Sequence, residues 1–110
     1  MSYHYPKALR LRSRRDFQRM GRQQTRLKGN YILIDVRENQ TSVTRLGITV
    51  TRQFGDSHKR NRFKRLVREA FRLGYPDLIK GLDLNIRPCN PEATLQQIQS
   101  ELRYFLEKEV

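Results

Sequence analysis

The stretch Lys59-Arg60-Asn61-Arg62-Phe63-Lys64-Arg65-Leu66-Val67-Arg68-Glu69-Ala70-Phe71-Arg72 carries the most distinctive chemistry of the chain. Phe63, Leu66, Val67, Ala70 and Phe71 recur at i, i+3, i+4, i+7 and i+8, the spacing of a helix with one buried stripe. At about 100° per residue, Asn61, Lys64, Arg65, Arg68 and Arg72 then turn to the opposite side. Arginine presents a planar fork of donors that suits phosphate oxygens, and the Asn61 amide can both donate and accept toward a base edge or a 2′-hydroxyl. A start near Asp56-Ser57 also aims unpaired backbone N–H groups outward. Charged helix faces are often merely solvated. Here acids at i+4 that could pair with the bases are almost absent, Glu69 after Arg65 being the exception, so a nucleic-acid-binding face is the expected outcome.

Other chemistries find little support. No serine or cysteine sits in a G-x-S-x-G context, no G-x-x-x-x-G-K-[ST] loop is present to cradle phosphates, and the carboxylates are scattered. Cys89, the single cysteine, cannot form an internal disulfide, and with only His4 and His58 beside it no metal-ligand spacing exists. Cys89 and His58 read as structural or incidental, the setting as reducing and cytosolic, and a self-sufficient active site is not expected.

A second group of residues suits an unpaired strand. Phe17 lies among Arg12, Arg14, Arg15 and Arg19, where it could stack on a base, or it could be core as half of an apolar pair with Met20. Tyr31, opening a strand, has the same two readings. Thr49, Thr51 and Arg52, on the polar face or the end of the next strand, could line a groove or belong to an ordinary wet sheet face.

These residues need a scaffold, and the chain length limits it to one domain. The 110 residues carry 23 Lys+Arg against 11 Asp+Glu, a net charge of +12. That excess is clustered: residues 1–30 hold +8, residues 31–58 are neutral, residues 59–72 hold +6 and residues 73–110 hold −2. The pattern implies two basic surfaces on a folded body, with residues 1–12 as a flexible basic arm. No apolar run approaches the roughly 20 residues of a membrane span, and the N-terminus has no secretory apolar segment. A short helix is expected over about 14–20, with Ser13 and Asp16 at capping-box spacing and Gly21 as its stop. Strands are expected at Tyr31–Arg37, at Arg45–Thr51 and from Leu82 to Pro88, the first two joined through the polar turn 38–42. Asn90-Pro91-Glu92 reads as the start of a last helix carrying Leu95, Ile98, Leu102 and Phe105. The expected fold is an α+β two-layer sandwich, ordered helix, strand, strand, with room for one further strand, then basic helix, strand, helix.

Leu46-Gly47-Ile48-Thr49-Val50-Thr51, then Gly55, then Arg60-Asn61-Arg62 through Lys64-Arg65, Arg68 and Glu69 strongly resemble the bacterial ribonuclease P protein component, whose hallmark is R-N-R-x-K-R-x-x-R-[EQ]. Asp16-Phe17, Gly21 and Leu84–Arg87 extend the resemblance over most of the chain from about residue 9. It implies a ribosomal-protein-like domain with a left-handed crossover through the basic helix. It also implies a protein subunit that binds a large catalytic RNA, ribonuclease P RNA, and with it removes the 5′ leader of precursor tRNA using Mg²⁺ held mainly by RNA. On that likeness Arg60, Asn61, Arg62, Lys64, Arg65, Arg68 and Arg72 would meet the catalytic RNA. Phe17, with Arg12, Arg14, Tyr31, Thr49, Thr51 and Arg52, would hold the leader. The chain departs from the family pattern at Gln53, where a second lysine is common, and at Gly21, near which some members carry another cleft aromatic. A structural RNA-binding protein of ribosomal type is the alternative. DNA binding is disfavoured because no helix precedes the basic one at helix-turn-helix spacing, and no membrane partner is expected.

Overall fold

The computed structural model describes residues 15, 25–39, 41, 43–74, 81–90 and 92–108. Arg15 is helical and exposed, while the rest of the expected first helix, with Asp16, Phe17 and Gly21, lies outside the described residues, as do Arg12, Arg14 and the arm 1–12.

Alternation of apolar and polar residues builds the sheet. Four strands, β1 (Thr25–Lys28), β2 (Ile32–Glu38), β3 (Arg45–Ile48) and β4 (Leu82–Pro88), lie side by side in the order β1-β2-β4-β3. The register stacks like with like. Leu27 faces Ile34, Ile34 faces Ile86 and Ile86 faces Ile48, while Val36 faces Leu84 and Leu84 faces Leu46. This apolar face is covered by α1 (Ser57–Gly74) and α2 (Leu95–Lys108), which pack on each other. The buried stripe of α1 is the expected one: Phe63, Val67, Ala70 and Phe71 are buried, with Leu66 partly so. From α2 come Ile98, Leu102 and Leu106. One such core, between one face of the sheet and the two helices α1 and α2, makes the α+β two-layer arrangement among the described residues.

The structure refines three expectations. First, the turn between β2 and β3 closes no hairpin, because β4 inserts between those strands, antiparallel to β2 and parallel to β3. The reason lies in β4 itself, where Leu82 through Ile86 are buried on both faces, as suits a strand paired on both edges. Second, the strand expected over Arg45–Thr51 ends at Ile48. Thr49 N still donates to Ile86 O (3.0 Å), after which the chain enters a 3-10 turn at Arg52–Phe54. Third, the last helix begins at Leu95. Thr94 and Gln97 form a reciprocal capping box, Gln97 N donating to Thr94 Oγ1 (3.3 Å) and Thr94 N to Gln97 Oε1 (3.0 Å), whereas the Asn90 side chain accepts from Glu92 N (2.8 Å) in a preceding turn. The further strand is β1, whose sequence TRLK has a single apolar residue and so no readable alternation.

Candidate nucleic-acid interface

The helix α1 starts where Asp56 accepts a hydrogen bond from Lys59 N (2.9 Å), and that bond holds the Asp56 carboxyl below its ordinary range. The fold then turns the basic residues to solvent. Asn61, Arg65 and Arg68 are exposed and Lys64 is half-buried. Among the described residues no ion pair or side-chain hydrogen bond engages any of the four. Arg62 is exposed and reaches Ala93 O at 3.4 Å, tying the helix to the loop before α2. Arg60 is half-buried, with its Nε buried and lacking a partner. Arg72 is different, because Glu69 pairs with it rather than with Arg65, through the Arg72 Nε to Glu69 Oε2 bond of 3.1 Å and a second, shorter contact. Arg72 thus sits at the edge of the stripe with much of its charge already answered.

The sheet's second face has a different electrostatic design. Asp83 is wholly buried and takes a forked contact from Arg45, Nε to Oδ1 at 2.9 Å and Nη2 to Oδ2 at 2.8 Å, with Asn39 Nδ2 also donating to Oδ1 (2.9 Å). Asp35, 2% exposed, accepts from Arg26 Nε at 2.8 Å and has Arg87 at 3.9 Å. That hydrogen bond from Arg26 raises the arginine further above its ordinary value. Two buried carboxylates therefore fix three arginines across the sheet. Sequence reading missed this set, although Asp35, Asp83 and Asn85 in otherwise apolar strands were its signal. At the margin of this face Thr49 Oγ1 donates to Asn85 Oδ1 (3.2 Å).

Beyond Thr49, the exposed Thr51 and Arg52 are carried by the 3-10 turn, which Phe54 anchors by packing its ring on Phe63 of α1 (centroids 5.7 Å apart). Tyr31 is half-buried on the far side of β4. Its carbonyl accepts from Cys89 N (2.9 Å) and its hydroxyl accepts from Gln97 Nε2 (3.1 Å). Thr49, Thr51 and Arg52 follow β3 and Tyr31 precedes β2, so all four lie at the C-terminal end of β4, but the Tyr31 hydroxyl is turned to Gln97 of α2 while that of Thr49 is turned to Asn85. Glu101 of α2 holds the neighbouring turn, accepting from Asn30 N (2.6 Å), Tyr31 N (2.9 Å) and Ile32 N (3.0 Å). A Cβ at Gly29 would lie 2.5 Å from the Glu101 carboxylate oxygens, so a side chain there would push the carboxylate away from these N–H groups. Burial pushes the nearby Cys89 thiol up, which keeps it protonated and a poor nucleophile at neutral pH.

Among the described residues no group of three His, Cys, Asp or Glu is placed to hold a metal, and no helix is long and apolar enough to cross a membrane. The buried carboxylates are committed to arginines. The described residues therefore do not fit a protein-held Mg²⁺.

Fold and surfaces together define a small basic α+β domain built to meet a polyanion. The family model described as Ribonuclease P matches residues 5–109. The ribonuclease P protein component of Desulforapulum autotrophicum is 34% identical over 109 residues, covering 97% of this chain and 93% of its own. Among solved structures, the RNase P protein from Thermotoga maritima superposes with a TM-score of 0.81 at 32% identity, covering 90% of this chain and 96% of its own. A Staphylococcus aureus RNase P protein mutant with defective mRNA degradation activity gives 0.82 at 26% identity, covering 94% and 89%. The chain belongs to the ribonuclease P protein component family.

Proposed function

We propose that this chain, as a single RNA-binding domain, grips the catalytic RNA of ribonuclease P through α1 and the 5′ leader of precursor tRNA through the surface at the C-terminal end of β4. At the family level it is the protein subunit that acts with its RNA on tRNA precursors. The observation that carries the reading is the outward stripe of Asn61, Lys64, Arg65 and Arg68, which holds no acidic partner among the described residues and coincides with the R-N-R-x-K-R-x-x-R-[EQ] hallmark. Arg60 and Arg62 flank it, and Arg72 contributes at its edge. Phe17, Arg12 and Arg14 join Tyr31, Thr49, Thr51 and Arg52 in the leader role on the strength of the resemblance.

The protein's contribution is electrostatic. Arginine forks on α1 screen phosphate repulsion where two RNAs converge, which lowers the Mg²⁺ concentration that the RNA needs. Mg²⁺ is held by RNA, and the working compartment is the cytoplasm. Reconstitution tests this directly: ribonuclease P RNA, the protein and a precursor tRNA, with 5′ cleavage followed as Mg²⁺ is lowered. The protein should restore cleavage at Mg²⁺ concentrations where the RNA alone fails. Failure to do so, together with copurification of ribosomal RNA, would make the chain a structural protein of ribosomal type.

A further inference from the structure

On the polar face of the sheet, opposite the core, two arginines converge on one buried carboxylate. Arg26 Nε and Nη2 reach Asp35 Oδ1 and Oδ2 at 2.8 and 3.4 Å, and Arg87 Nη2 lies 3.9 Å from the same Oδ2. We propose that Asp35 is a positioning residue that aligns Arg26 and Arg87 as a clamp for one phosphodiester group of an RNA strand. The inference rests on the reading of this chain as an RNA-binding subunit and adds a phosphate site on residues that neither role above uses.

A buried ion pair is a weak source of stability, because drying the charges costs much of what their attraction returns. What marks this one is the donor capacity it leaves. Asp35 is 2% exposed, whereas the side chains of Arg26 and Arg87 stay 50% and 46% exposed. A guanidinium carries five N–H donors; Arg26 commits two of them to Asp35, and at 3.9 Å Arg87 commits none. Both Nη2 groups approach one carboxylate oxygen, so their outer N–H groups lie close enough for a single phosphate to accept from both at ordinary lengths of about 2.9 Å. Arginine forks match phosphate oxygens in geometry, and holding them in place before the ligand arrives removes part of the ordering cost.

The register adds a third cation. Lys28 pairs with Leu33 and Leu33 with Arg87, which puts the exposed Lys28 on the same face, two strand spacings or roughly 10 Å from Arg87 across the half-buried Leu33. That separation suits a neighbouring phosphate of the same strand. Among the described strand residues at this end of the polar face Asp35 is the single acid, so three cations outnumber it. Asp83, the next acid on the face, is engaged by Arg45 and Asn39. On the other side Thr49 lies beside Arg87, its N–H donating to Ile86 O. An RNA strand crossing this end of the sheet thus meets Lys28, the clamp and Thr49 in turn.

Arg87→Ala is the most direct test, because Arg87 makes no hydrogen bond to Asp35 that the fold would lose. In the reconstituted holoenzyme it should weaken binding of one RNA by roughly 5- to 100-fold with an unchanged melting temperature. A loss confined to leader-bearing precursor tRNA, with mature tRNA unaffected, assigns the phosphate to the leader, and a loss of affinity for the catalytic RNA assigns it to that RNA. Arg26→Ala should weaken the same binding, and the double variant should lose less than the product of the two, since both arginines hold one phosphate. Asp35→Asn keeps the shape but frees the charge of the arginines, so it should steepen the slope of log K against log[salt] for that RNA, which a purely structural carboxylate would leave unchanged. Unchanged affinity of Arg87→Ala for both RNAs, losses that multiply, or an unchanged slope in Asp35→Asn overturns the proposal. Arg52→Ala, measured in parallel, tests the leader reading separately. Leader preference that falls in Arg52→Ala, with neither RNA bound more weakly by Arg87→Ala, leaves that reading standing and removes this one. Leader preference unchanged in Arg52→Ala, with catalytic-RNA binding weakened in Arg87→Ala, does the reverse.

Discussion

Arg65 and Arg68 are exposed on α1 and make no ion pair or side-chain hydrogen bond among the described residues, so each can give its whole fork of donors to RNA. Replacing either with alanine should cost about 1–3 kcal/mol of affinity for the catalytic RNA while leaving stability nearly untouched. The slope of log K against log[salt] should flatten by about 0.7–1 for each, because one fewer phosphate contact releases fewer counterions. Filter binding across a salt series measures both numbers, and unchanged affinity and slope would return this face to mere solvation. Asp83 is the opposite kind of residue. It is fully buried beneath Arg45 and Asn39, so Asp83→Ala strips a buried pair of one member. The expected loss is about 3 kcal/mol of unfolding free energy, at the low end for buried pairs because the Arg45 side chain keeps 25% exposure. Denaturant unfolding checks it, and a loss below about 1 kcal/mol would mean the pair is effectively solvated.

At the scale of elements, the helices were the most legible part of the sequence and the sheet the least. The stripe Phe63, Leu66, Val67, Ala70 and Phe71 reports a local periodicity, and the structure buries it as read. Strand order is a long-range property. Nothing within residues 31–51 says that residues 82–88 will come between the two strands they form, and the alternation of Asp83 and Asn85 with Leu82, Leu84 and Ile86 marks a strand without telling its neighbours. The start of α2 was mistaken for a physical reason too: Asn90 makes a turn of its own, and the stronger capping box lay four residues on, at Thr94 and Gln97. Of the interface, the α1 stripe was readable from spacing and charge. The sheet-face arginines were not, since Arg26, Arg45 and Arg87 come together only through register. The Asp56 cap gives this scale its prediction. The folded protein holds this carboxyl below its ordinary value, so its contribution is complete above about pH 4, the unfolded value, and is lost as pH falls through the depressed folded one. Asp56→Ala should therefore melt lower than the parent at pH 7 and converge with it in strong acid, whereas Asp56→Asn, which keeps the acceptor, should lose little at neutral pH. A melting-temperature difference for Asp56→Ala that does not change with pH would rule out this cap.

For the molecule as a whole, the family assigns this chain the non-catalytic part of an RNA-based enzyme. Protein freed of RNA should show no site-specific 5′ processing of precursor tRNA, and specific cleavage that survives nuclease treatment and follows the protein through purification would contradict this. The open stripe on α1 and the acid-paired arginines of the sheet face should also respond differently to salt. Arginines already clamped by Asp35 and Asp83 have shed little-used freedom and part of their counterion cloud before RNA arrives, so Arg26→Ala should alter affinity with a much smaller change in salt slope than Arg65→Ala. A surface of that kind works as a rail rather than a magnet. The stripe on α1 draws RNA in from a distance and loosens as ions are added, while the sheet keeps its geometry whatever the ionic strength, so the complex should lose speed of capture in salty solution well before it loses alignment.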